Sequence, residues 1–170
     1  MNKKDKPLIL IRNYEPEDVQ DLASIYYNTI HEVNSDDYNE EQLNAWAPKS
    51  SRNSDRWLKK FAKTKPLVAI SQGKIVGFAE LLHTGYIDCF YVHHQWNRQG
   101  VGAALMKAIH SEALEQKIGR LFANVSITAK PFFEKHGFIV DTKQTVSLNN
   151  VDFINYKMEK HLDHVANPVA

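Results

Sequence analysis

The spacing of apolar and polar positions changes period near the middle of the chain, from helical to strand-like. Leu8 to Ile11 is a short apolar run that reads as a first strand. Pro16 then suits the first turn of a helix, and Glu15, Glu17 and Asp18 place negative charge at its positive end. Val19, Leu22, Ala23, Tyr26, Ile30 and Val33 recur at helical spacing. A polar break at Asn34-Ser35-Asp36-Asp37 leads to a shorter helix, about Glu40 to Trp46, stopped by Pro48. Asn53-Ser54-Asp55 offers a cap for a helix carrying Trp57, Leu58 and Phe61.

Beyond Pro66 the texture becomes β-rich. Leu67 to Ile70 is a strand, Ser71-Gln72-Gly73-Lys74 a tight turn, and Ile75 to Ala79 its hairpin partner. Tyr86 to Val92 makes the next strand. Its apolar residues Ile87, Phe90 and Val92 are spaced three and then two, which predicts a bulge. Val101, Leu105, Ala108, Ile109 and Ala113 form the stripe of a helix expected to close at Gly119. Arg120 to Val125 reads as a strand, Ala129 to His136 as a short helix, and Gly137 to Val140 as another strand. Val151 to Met158 is expected to be a final edge strand, with a frayed tail over 161–170 after a single domain of residues 1–160.

Composition narrows the function classes. Lys+Arg at 21 nearly balances Asp+Glu at 20, so a nucleic-acid partner is not expected. The single cysteine, Cys89, excludes an internal disulfide and fits a reducing, cytoplasmic setting. No apolar h-region follows Met1 to Lys6, and no apolar run approaches the roughly 18 residues of a membrane span.

Candidate chemistry begins at Tyr91-Val92-His93-His94-Gln95-Trp96-Asn97-Arg98-Gln99-Gly100-Val101-Gly102-Ala103. A strand ends, a polar turn follows, and Gly100-x-Gly102 opens a helix, which converges backbone N–H groups at the positive end of a helix dipole. Glycine at 100 and 102 leaves no Cβ in the path of a pyrophosphate. No Gly-Lys-Ser/Thr follows, and Leu105 stands where a dinucleotide fingerprint has its third glycine.

Three blocks together resemble the bacterial-type Gcn5-related N-acetyltransferases, over about Leu8 to Lys160. They are the strand Phe90-Tyr91-Val92-His93, the acetyl-CoA motif Asn97-Arg98-Gln99-Gly100-Val101-Gly102, and Ala129-Lys130-Pro131-Phe132-Phe133-Glu134-Lys135-His136-Gly137-Phe138. The resemblance implies an α+β fold, with a mixed, mostly antiparallel central sheet and helices on both faces. It implies acetyl-CoA as co-substrate, held by Phe90, Tyr91, Val92, Asn97, Arg98, Gln99, Gly100, Val101, Gly102, Ala103, Ser126 and Phe133. Three positions depart from the family pattern. Asn97 replaces the leading Gln or Arg, Ser126 replaces a frequent Asn, and Phe133 replaces a tyrosine that protonates the departing thiolate in many members.

Acetyl transfer to an amine needs a held donor, a neutral nucleophile, an oxyanion donor and a leaving thiolate. The strand around Tyr91 and Val92 can pair with the amide-rich pantetheine arm as an added strand, and a backbone N–H near Val92 can meet the thioester oxygen. Glu80, near the end of the hairpin strand, is the first candidate base, with His83 and Asp88 as rivals and a solvated strand-end carboxylate as its plainer role. Tyr86 and Tyr156 are spare proton donors or packing residues. Trp46, Trp57, Tyr26, Tyr27 and Tyr38 are lining or packing residues for an acceptor pocket. No metal is expected: His93 and His94 are adjacent, so their rings should diverge, and no further ligand sits at metal spacing. Cys89 reads as a small buried hydrophobe, and Lys157 and Lys160 as solvated surface. The leading reading is an N-acetyltransferase for a primary amine of a small molecule or an exposed protein amine. A catalytically idle acyl-CoA-binding module is the alternative, and a homodimer is left open.

Overall fold

The apolar runs pair largely as hairpins, and the computed structural model describes residues 5–163. Strands β1 (Leu10–Asn13), β2 (Leu67–Ser71), β3 (Lys74–Leu81) and β4 (Ile87–Val92) form one antiparallel sheet in that order. Strands β5 (Arg120–Ser126), β6 (Ile139–Leu148) and β7 (Val151–His161) form a second, with β7 in the middle. One parallel bridge, Tyr86 with Phe122, joins the sheets at one end. Gly85 makes that junction. Its φ is +92°, its carbonyl accepts from Phe122 N–H at 3.0 Å, and a Cβ there would collide with the Arg120 carbonyl. Away from this corner β4 and β5 diverge.

Helices α1 (Val19–Glu32), α2 (Glu40–Trp46) and α3 (Ser54–Thr64) cover one side; α4 (Val101–Glu115) and α5 (Lys130–Lys135) cover the other. On the α1–α3 side Leu22, Ile25, Trp57, Phe61, Val68 and Phe78 pack together, with the α2 residues Leu43 and Ala45 joining Ile30 and Phe153 nearby. On the other side Leu105, Met106 and Ile109 of α4 meet Val76, Ala79, Leu121 and Met158. A Cβ on Gly77 would lie 2.9 Å from the Tyr91 carbonyl and 3.0 Å from Val101, so α4 sits almost on the β3 backbone.

The expected bulge is present. Ala79 faces Phe90 but Leu81 faces Ile87, so Asp88 and Cys89 together oppose Glu80. Other elements differ from expectation. β1 begins at Leu10, two residues late. α4 ends at Glu115, and the left-handed residue after it is Lys117 (φ 57°), not Gly119. The last strand is central rather than an edge, because β6 runs on to Leu148 and takes the edge position. Asn149 and Asn150, both with positive φ, turn β6 into β7. β7 extends through His161, and residues 164–170 of the expected tail lie outside the described residues.

Gly77→Ala overpacks the contact between β3 and α4. It is expected to lower stability by about 1–3 kcal/mol, read as a lower urea midpoint at unchanged slope.

Candidate active site

The divergence of β4 and β5 opens a slot through the molecule, with a cavity on each side. On the α4–α5 side the cavity is about 670 Å³ and is lined by Phe90, Tyr91 and Val92 of β4, Ala123 to Ser126 of β5, the α4 start, and Phe132 and Phe133 of α5. On the α1–α3 side a smaller cavity of about 350 Å³ is lined mainly by Tyr26, Tyr38, Trp46, Trp57, Phe153, Arg56, Lys60, Asp88 and Cys89. Trp46, Asp88, Tyr91, Asn124 and Ser126 line both, so the two spaces meet between the strands.

The first cavity ends at the α4 N-terminus. Gly100 takes φ +91° as its N-cap and no side chain caps the helix. Ala104 N–H bonds the Gly100 carbonyl at 3.0 Å, so the N–H groups of Val101, Gly102 and Ala103 precede the first helical bond and remain for a ligand. Arg98 (φ 60°), Lys6 and Lys135 also border this cavity. A Cβ on Gly100 would meet nothing within 4 Å, but the left-handed φ strains any side chain there. Gly102 lines the cavity and also serves packing. A Cβ there would lie 3.0 Å from the Phe132 ring, so this glycine lets α5 close against α4.

Strand β4 presents free backbone to the slot. His93 N–H bonds the Val76 carbonyl at 2.8 Å, which makes Gly77 and Val92 a non-hydrogen-bonded pair. The N–H and C=O of Val92 therefore point away from β3, toward the slot, as do those of Phe90 two residues earlier. The Val92 carbonyl accepts from Thr29 Oγ1 at 2.8 Å, and its N–H is left directed at the opening.

The remaining donor-side candidates sort plainly. Asn97 lines the cavity while its Nδ2 donates to the His94 carbonyl at 3.2 Å. Gln99 turns back to the Gln95 carbonyl, and Val101 is buried against β3, so neither is among the residues lining the cavity. Ser126 Oγ accepts from Ala129 N–H at 3.0 Å, which leaves its own hydrogen free to donate. Phe133 is buried among Phe90, Phe132 and Phe138 and forms an apolar wall.

Glu80 is not a solvated strand-end carboxylate. It is fully buried, its Oε1 accepts from Lys60 Nζ at 2.9 Å, and its Oε2 has no partner. It is not among the residues lining either cavity. Asp88, thrown outward by the bulge, lines both and pairs with the same Lys60 Nζ at 2.8 Å. Burial works against the Lys60 ammonium, but its neighbours Cys89, Asp88 and Glu80 together outweigh it and hold its pKa above the ordinary lysine value. Cys89 is buried with Sγ 3.4 Å from Lys60 Nζ; desolvation and Glu80 push its thiol pKa well up, so it stays protonated at neutral pH. Ligand atoms of Glu80, Asp88 and Cys89 lie within 4.8 Å of one another, but the Lys60 ammonium already supplies positive charge there.

The other candidates line neither cavity. His83 is exposed in the turn after β3. Tyr86 stacks on Phe122 and accepts from Asn124; Tyr156 lies beneath Lys130. Tyr27 packs on His31 and does not line the α1–α3 cavity. The rings of His93 and His94 do not diverge but stack at 4.6 Å, because the chain leaves β4 there into a short 3₁₀ turn. Sequence reasoning missed Lys60 and Arg56, one helical turn apart on α3; their spacing was visible, their target was not.

Known proteins share the sequence pattern and the fold. The family model "Acetyltransferase (GNAT) domain" matches residues 34–160. The chain belongs to the GCN5-related N-acetyltransferase family. It is 36% identical over 156 residues to the uncharacterized N-acetyltransferase YafP of Escherichia coli K12, covering 92% of this chain and 98% of that one. A GCN5-related N-acetyltransferase from Rhodopseudomonas palustris superposes with a TM-score of 0.86 at 33% identity, over 93% of this chain and 97% of its own. YncA of Salmonella typhimurium, solved with acetyl-CoA, shares the fold with a TM-score of 0.71 at 18% identity, over 95% and 98% of the two chains.

Gly100→Val forces a β-branched residue into a left-handed position at the start of α4. It is expected to weaken acetyl-CoA binding at least tenfold, about 1.4 kcal/mol, by calorimetry. Gly102→Val should also weaken it, but with a lower thermal midpoint, since its Cβ displaces Phe132.

Proposed function

We propose that the protein transfers the acetyl group of acetyl-CoA to an amine held in the α1–α3 cavity. The observation that carries this reading is the meeting of two cavities between β4 and β5, with free strand backbone on one side and a carboxylate in the opening. In this reading the pyrophosphate takes the α4 N–H groups, and the pantetheine arm adds along Phe90 to Val92. The thioester carbonyl then lies at Val92 N–H, an oxyanion donor of the kind whose deletion costs roughly 3–4 kcal/mol elsewhere.

The amine nitrogen attacks the carbonyl carbon from the acceptor side. A C–N bond forms, the C–S bond breaks, and CoA leaves as a thiolate. Asp88 takes the proton that the amine must lose, while buried Glu80 acts through Lys60 to hold Asp88 in the opening. Phe133 has no proton to give, and a thiol of pKa near 8.5 leaves tolerably by drawing one from water or from the newly acylated ammonium. A cytoplasmic protein fits this co-substrate, and no helix among the described residues is long and apolar enough to cross a membrane.

Phe133 also motivates the second reading, a CoA-binding module without turnover. Thiol release from acetyl-CoA with a panel of amines separates the two. Asp88→Asn is expected to lower kcat by 10²-fold or more, Glu80→Gln to lower it and shift the pH profile, and Phe133→Tyr to leave it within a few-fold. Transfer that appears only in Phe133→Tyr would favour the idle module; full activity in both carboxylate variants would remove the base assignment.

A further inference from the structure

The acceptor cavity is electrically polarised in a way that the transfer reaction does not require. At its floor stand Asp88 and Lys60, and Glu80, buried behind them, pairs with the same ammonium, so two carboxylates share one cation beside the opening to the donor side. At its rim stands Arg56, exposed, with its guanidinium 5.1 Å over the Trp57 ring and no carboxylate partner among the described residues. Arg56 and Lys60 are four residues apart on α3, so they lie on one face and are separated by about 6 Å along the axis. Between floor and rim the walls are aromatic, with Tyr26, Trp46 and Phe153 contributing.

From this arrangement, and resting on the acetyltransferase reading above, we infer that the natural acceptor is a small amine with an apolar body and an anionic group at its far end. The negative floor attracts the ammonium and repels an anion, which orients the molecule amine-inward. That orientation brings the nitrogen to Asp88 and the slot. The aromatic walls take the body, and Arg56, stacked on Trp57 and free to fork onto a carboxylate, takes the distal anion. A cavity of about 350 Å³ lies at the lower end of the range for small-molecule sites. An α-amino acid does not fit this polarity, because its two charges sit closer together than the floor and the rim.

Two matched pairs test the inference: 1-aminohexane against 6-aminohexanoate, and 2-phenylethylamine against 4-(2-aminoethyl)benzoate. Their kcat/KM values are read by thiol release from acetyl-CoA. The carboxylated member of each pair is expected to lead by about tenfold at low ionic strength, and by less in about 0.5 M KCl. Arg56→Ala should bring the ratio close to one, and Arg56→Glu should invert it. Where turnover is too slow, calorimetric affinity of the same four amines for the CoA-saturated protein gives the ratio. A ratio near one in the wild type, or a preference that survives Arg56→Glu, overturns the inference and leaves the acetyltransferase reading standing. No thiol release with any amine from a protein that binds acetyl-CoA fells that reading, and the affinity ratio still decides the inference. Failure of all four amines to bind overturns the inference.

Discussion

The ion pair between Lys60 and the buried carboxylate of Glu80 is the contact on which the working part of the molecule depends. A carboxylate at the centre of a sheet costs several kcal/mol unless a cation and hydrogen bonds compensate it. Lys60 reaches it from α3, so one side chain ties the helical layer to β3. The same ammonium holds Asp88, which exists on that edge only because the bulge sets two residues of β4 against one of β3. Charge, bulge and slot are one arrangement.

From that arrangement follows a division of labour between the two faces. In the transfer we propose, the donor side is built from backbone: an uncapped helix start, a free strand edge and the left-handed Gly100. The acceptor side is built from side chains, aromatic walls and a few charges contributed by α1, α2, α3 and the β6–β7 hairpin. Backbone recognition suits a co-substrate common to a whole family, and side chains are where members can differ.

Much of the donor side was legible because its signals are local. The glycine turn, the strand before it and the uneven spacing of Ile87, Phe90 and Val92 all lie within twenty residues of one another. The acceptor side was not, because its chemistry joins distant segments. Nothing near Glu80 in the sequence announces Lys60, and charged strand ends are commonly solvated, whereas this one is sealed under α3. The packing constraint on Gly102 is hidden for the same reason, because Phe132 lies thirty positions on. β6 was read short because most of its residues are exposed and polar, Asp141 to Gln144 especially, so no apolar alternation carries it to Leu148. Asn149-Asn150 is the one local signal for that hairpin turn.

The strand order β5-β7-β6 has a consequence for how the protein comes into being. β5 and β6 pair with β7 and not with each other, so the second sheet has no ladder until Val151–His161 has left the ribosome. The first sheet and α4 are complete in sequence well before that point. During synthesis the α4 start, with its free N–H groups, can therefore form while the α1–α3 cavity is still open on one side, since Phe153 and Asn155 arrive with the last strand. The nascent chain has its exposed helix start before its second cavity has all of its walls.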